Sequence, residues 1–103
     1  MTDGWQQQVA AFARQHDLLH DPATHALDLV SEVGEVAKEI LKATNYGQRP
    51  LQGNANLLDE MGDALYSLLA LAECCGVDGD AALSSALDKY RQRLNERETA
   101  GSQ

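Results

Sequence analysis

The sequence predicts an all-α fold, a four-helix bundle completed by association of identical chains. Three observations carry this expectation. Only two prolines occur in 103 residues, while alanine and leucine are frequent, a composition that favours helices. No run of five or more residues alternates polar and apolar side chains with β-branched weight, so no strand is expected. Apolar residues instead recur at three- and four-residue spacing along four segments, the period of a helix with one buried face. The length suits a single domain with one modest core, covering residues 1–103 with a frayed tail from about residue 98.

The first helix is expected over roughly residues 3–16, with Val9, Phe12 and Ala13 as a narrow apolar stripe and Trp5 one turn earlier; HDLLHDP (16–22) breaks it. The second has a defined start, because Asp21 can cap and Pro22 suits the first helical position. Its stripe is Leu27, Val30, Val33, Ala37, Ile40 and Leu41, ending near Thr44. NYGQRPLQGN, with two glycines, a proline and two asparagines, is a loop. The third helix is expected from Asn54–Asn56 to about Cys75, with Gly76 as its stop. Leu58, Met61, Leu65, Leu68 and Ala72 form one stripe, and Leu57, Ala64 and Leu71 a second, so it should be the most buried helix. The fourth, about Asp80 to Arg97, turns Leu83, Ala86, Leu87, Tyr90 and Leu94 to the core. The third helix is apolar on more sides than a small monomer can cover, which points to a homo-oligomer.

The formal net charge of −8 argues against nucleic acid or an anionic membrane as a partner, since both need a basic surface. No 18-residue apolar run exists, so no transmembrane helix is expected. MTDGWQQQ lacks the basic and apolar regions of a signal peptide, so the expected compartment is the cytoplasm. Cys74 and Cys75 are adjacent and have neither a disulfide framework nor zinc-knuckle spacing. They read as small residues near a helix end.

The acids of the middle helices raise a sharper question. Asp28, Glu32, Glu35 and Glu39 share one side of the second helix, and Glu60 and Asp63 stand three apart on the third. Acids at that spacing are commonly a solvated face, and Lys38 and Lys42 are placed to relieve some of the charge. Glu60 and Asp63, however, belong to an otherwise apolar helix. Two such pairs on facing helices bring four carboxylates together, which a cation must offset. Mg²⁺ or Mn²⁺ suits carboxylate and water ligands. A di-iron centre fits less well, because it needs Glu-x-x-His on two helices. His16, His20 and His25 follow no glutamate by three and read as turn or surface residues.

Glu32-x-x-Glu35, a 24-residue interval, then Glu60-x-x-Asp63 resembles the MazG-like, all-α nucleoside triphosphate pyrophosphohydrolases. SEVGEVAKEI is similar to that family's first motif, DEMGDALYSLLALAECCGV to its second, and ALDKYRQRL to its closing Lys-x-x-x-Arg. The resemblance covers about residues 24–94. It implies a MazG fold and cleavage of a nucleoside triphosphate between the α and β phosphates. Mg²⁺ would be held by Glu32, Glu35, Glu60 and Asp63, with Lys89 and Arg93 on phosphate. It also implies a homodimer or homotetramer and a role in nucleotide-pool housekeeping. Where the family's first motif usually begins with a further Glu, this chain has Ser31. Ser31 cannot act as a carboxylate base, which leaves Glu39, Asp28 and Asp59 as candidates. Trp5, Phe12, Tyr46 and Tyr66 are the aromatic residues available to stack on a base. Trp5 and Phe12 read more readily as packing residues, and Tyr46 as part of a lid. Two alternatives are carried forward. A phosphoribosyl-ATP pyrophosphohydrolase shares the fold, but its second motif has His directly after the Tyr, where this chain has Ser67 after Tyr66. A non-catalytic helical module would account for the altered position at Ser31.

Overall fold

The computed structural model describes residues 4–101 and consists of four helices. They are α1 (Trp5–Gln15), α2 (Pro22–Ala43), α3 (Ala55–Cys74) and α4 (Gly79–Gly101). There is no strand among the described residues. Asp3, at the expected start of the first helix, and Ser102 and Gln103, in the expected tail, lie outside them.

Local chemistry fixes the ends. The Asp21 carboxylate accepts from the Thr24 backbone N–H at 3.0 Å, and Pro22 takes the first helical position, where its missing N–H costs nothing. Asn54 caps α3 by accepting from the Leu57 N–H at 2.7 Å. Gly76 follows the C-cap of α3 and stops the helix with φ +68°, the left-handed conformation that only glycine adopts freely. Thr44 closes α2: its hydroxyl donates to Ile40 O at 2.8 Å and accepts from the Gly47 N–H at 3.0 Å. Asn45 and Tyr46 follow, also at positive φ. At its far end the chain departs from expectation, since α4 continues through residues 98–101 as helix.

Helices α2 and α3 pack most extensively, and α1 lies against α3. Beyond its root α4 packs closely against none of them. The result is an open molecule. Its radius of gyration is 17.6 Å, against about 13 Å for a compact chain of 100 residues. Its accessible surface is 7868 Å², where a compact monomer of this mass has about 5,700 Å².

Burial differs from the expected core for the same reason. The fully buried apolar residues among those described are Ala10, Ala13 and Ala70. Leu27 and Val30 of the α2 stripe are 72% and 71% exposed, and Leu58, Met61 and Leu68 of α3 are also exposed. So are Leu83, Leu87, Tyr90 and Leu94 of α4 and Trp5 of α1, while Phe12, half exposed, packs against Tyr66 of α3 as a packing residue should. Their spacing is correct for a buried face, but one chain has nothing to put against it. His25 departs in the other direction. Read as a turn or surface histidine, it is buried in the first turn of α2. Helical side chains lean toward the N-terminus, and the His25 Nε2 accepts from the His20 backbone N–H at 2.9 Å. The Cys74 thiol donates to the His20 carbonyl, tying the same loop to α3.

Arg14 and Gln6 of α1 both bind Glu73 of α3. The Gln6 amide and the Arg14 guanidinium hold the Glu73 carboxyl below its ordinary value. A folded value below the unfolded one stabilises fully above the unfolded pKa, about 4.3, and the contribution is lost as pH falls through the lowered value. Glu73→Gln is therefore expected to lower the melting temperature at pH 7. The loss is equivalent to about 1 kcal/mol, allowing for the exposure of the pair. The gap between variant and parent should shrink on acidification below about pH 4. Thermal unfolding across that range checks both statements.

Candidate metal centre

The packed pair α2–α3 presents the acids anticipated from their spacing. Carboxylate oxygens of Glu32, Glu60 and Asp63 lie within 4.8 Å of one another. Glu32 and Glu60 are half-buried, whereas Asp63 is exposed. The Glu60 carboxyl is raised above its ordinary value, first by desolvation and then by the charges of Glu35, Asp63, Glu32 and Glu39. Glu60 is thus the point on which the acids of both helices act, and Glu35 is the strongest of its charged neighbours.

Of the three candidate bases, Glu39 alone acts on Glu60. The Asn56 side-chain amide also donates to Glu39 Oε1, at 3.4 Å, so a residue at the start of α3 steadies an acid at the end of α2. Sequence reasoning did not single out Asn56, whose only signal was its place beside the cap. Asp28 and Asp59 are exposed and are not among the charges that raise Glu60. Ser31 is exposed on α2.

The chemistry of this donor set fits a hard divalent cation. All the ligands offered are carboxylate oxygens. Their charge is not offset by protein cations, because the ion pairs among the described residues, Arg14–Glu73 and Arg91–Asp88, lie elsewhere. Lys38 and Lys42, placed by spacing to relieve the acids, form no ion pair among the described residues.

Lys89 and Arg93 are not brought to the acids within one chain. Both are exposed on α4, which packs closely against neither α2 nor α3, and the Lys89 Nζ lies 5.3 Å from the centre of the Tyr90 ring. The aromatic residues lie apart too. Phe12 meets Tyr66 edge-on at 6.1 Å, on the α1 side of α3, and Tyr46 is exposed in the loop after α2.

Four helices with a carboxylate cluster across the central pair define a class of all-α proteins suited to divalent-cation chemistry. Residues 20–99 match the MazG nucleotide pyrophosphohydrolase domain, and the chain belongs to that family. Among its relatives, dCTP pyrophosphatase 1 of Mus musculus is 39% identical over 90 residues, and that of Homo sapiens 38% over 91; each alignment covers 82% of this chain. The chain spans about half the length of these relatives, 53% in both cases. The crystal structure of YPJD from Bacillus subtilis superposes with a TM-score of 0.70 at 26% identity, covering 90% of this chain and 99% of that one. No helix among the described residues is long and apolar enough to cross a membrane.

Proposed function

We propose that the protein is a Mg²⁺-dependent pyrophosphohydrolase that converts a nucleoside triphosphate to the monophosphate and pyrophosphate. The observation that carries this reading is the convergence of Glu32, Glu60 and Asp63 within 4.8 Å, with Glu35 acting on the same point. Family membership supports it. The names of the relatives make dCTP the first nucleotide to test.

In this reading Glu32, Glu35, Glu60 and Asp63 hold the cation, with Mn²⁺ able to replace Mg²⁺. A cation held there would supply charge neutralisation for the departing pyrophosphate and would favour deprotonation of the attacking water. The remaining work falls to the chain. The four acids orient the triphosphate indirectly, since without a cation they would repel it. Glu39, steadied by Asn56, is the acid best placed to take a proton from the attacking water in place of the carboxylate missing at Ser31. Lys89 and Arg93 stand four apart on one helical face and grip phosphate oxygens through charge-assisted hydrogen bonds.

The protein acts as a homo-oligomer in this reading. Its surface exceeds that of a compact monomer by roughly 2,000 Å², the scale of a specific dimer interface. A groove of about 300 Å³ between α2 and α3, lined by Val33, Met61 and Leu68 among others, matches the unpartnered apolar stripe of α4. Over residues 88–97 α4 carries four of the eight basic residues against two acids, a net positive stretch on a helix that is neutral as a whole, whereas α2 and α3 carry eight acids against two lysines. Opposite charge thus favours α4 of one copy lying over the acidic helices of another. A dimer or a tetramer satisfies these constraints equally.

The test is pyrophosphate release from standard and damaged nucleoside triphosphates, with Mg²⁺, Mn²⁺ or chelator. Metal-dependent release with the matching monophosphate is expected. Silence across the panel, including phosphoribosyl-ATP, and also after Ser31→Glu, would turn the reading toward a non-catalytic helical module.

A further inference from the structure

Within its own chain the direction of α4 is set at its root, because beyond it the helix packs closely against no other element of that chain. At that root one side chain makes three of the four hydrogen bonds its amide allows. The Gln6 Nε2 donates to Glu73 Oε1 at 3.1 Å and to the Val77 carbonyl at 2.8 Å, while its Oε1 accepts from the Gly79 N–H at 2.7 Å. Gln6 therefore joins α1 to the end of α3, to the turn, and to the first residue of α4.

The fit requires a glycine. A Cβ at Gly79 would stand 2.7 Å from Gln6 Oε1 and 3.5 Å from Leu69 Cδ2, so any larger residue displaces the amide. Two further contacts brace the joint. Arg14 binds the second Glu73 oxygen, and the Asp78 carboxylate accepts from the N–H groups of Asp80 and Ala81 at 3.0 and 3.3 Å.

Within its own chain α4 is held only at its base, so the joint sets the angle at which it reaches toward a second copy. Lys89 and Arg93 lie ten and fourteen residues from Gly79, about 15 and 21 Å along the axis. A swing of about 20° at the root would move Lys89 by about 5 Å, whereas a misplacement of 1 Å already costs a reacting geometry up to about 100-fold.

We infer that Gln6, acting through Gly79, is the positioning residue that sets where Lys89 and Arg93 reach the triphosphate. This rests on the proposed function for the roles of Lys89 and Arg93, but not for the joint itself.

The experiment uses the full chain with Gln6→Leu, which keeps the bulk and removes all three hydrogen bonds, and with Gly79→Ala, which removes the space. Both variants are expected to raise KM for the best nucleotide about tenfold or more. The Mg²⁺-induced rise in melting temperature should be unchanged, because the acids lie on α2 and α3. A second readout is independent of activity. Spin labels at Lys38→Cys and Gln92→Cys, with Cys74 and Cys75 replaced by Ala, report the direction of α4, and their distance distribution should shift or broaden by several ångströms in Gln6→Leu. An unchanged distribution overturns the inference, as does an unchanged KM in an active protein. A parallel loss of the Mg²⁺ shift also overturns it, since that marks general destabilisation. If the parent chain releases no pyrophosphate but the label distance still moves, the joint is supported and the reaction is overturned.

Discussion

Asp63→Asn is expected to abolish turnover and, at the same time, to make the metal-free protein more stable. The same three residues produce both effects. Asp63 shares a 4.8 Å cluster with Glu32 and Glu60, and its charge is one of those that push the Glu60 carboxyl upward. Removing it relieves repulsion that the fold otherwise carries, so the melting temperature in chelator rises. Removing it also takes away a ligand. The loss in kcat/KM should be about 100-fold or more, the scale seen when a group that stabilises the transition state is deleted. In the parent, Mg²⁺ at about a hundredfold above its Kd adds roughly 2.7 kcal/mol, or roughly 10–20 °C in a domain of this size. That shift should vanish in the variant. Thermal unfolding with Mg²⁺ or chelator reads both. A parent protein with no Mg²⁺ shift would sink the metal centre whatever the variant did.

Val30→Asp is the second large effect, and it tests the assembly. Val30 is 71% exposed in the single chain, so on a monomer an aspartate there should be almost neutral, within about 0.5 kcal/mol. It lies on the apolar stripe of α2, away from the acid face. If a second copy covers that stripe, the substitution buries an unpaired charge. The cost is then about 3 kcal/mol or more, over about 100-fold in the dissociation constant. Light scattering on a concentration series of parent and variant distinguishes the cases. Dissociation of the variant assigns this stripe to the interface, and an unaltered assembly moves the interface elsewhere.

Much of the helical layout was legible because its causes are local. Asp21 with Pro22, Asn54, and Gly76 each act through backbone groups within a few residues, so their chemistry can be read in isolation. The acid cluster was legible for a related reason. A spacing of three on a helix puts two carboxylates side by side in any context, and two such pairs on helices joined by one loop have few ways to avoid each other. His25 was misread because its burial depends on the loop before it folding back over the first turn of α2. Gln6 was invisible, since its partners lie 67 to 73 residues away and a glutamine in an N-terminal helix carries no pattern.

The apolar stripes show where periodicity reaches its limit. Leu27, Val30, Leu58, Met61, Leu83 and Leu94 have the spacing of buried residues, yet all are exposed in the single chain. Periodicity states that a face avoids water, not what covers it. From the sequence alone came the helices, their ends, and the acids that pair along each of them, because each of these follows from interactions within one or two helical turns. The tertiary structure decided that the charges of acids from both helices act on Glu60, Glu39 among them, and that α4 packs closely against no other helix of its own chain. These depend on how two helices cross and on one glutamine–glycine joint, geometry set by contacts between residues distant in the chain, which no local pattern records.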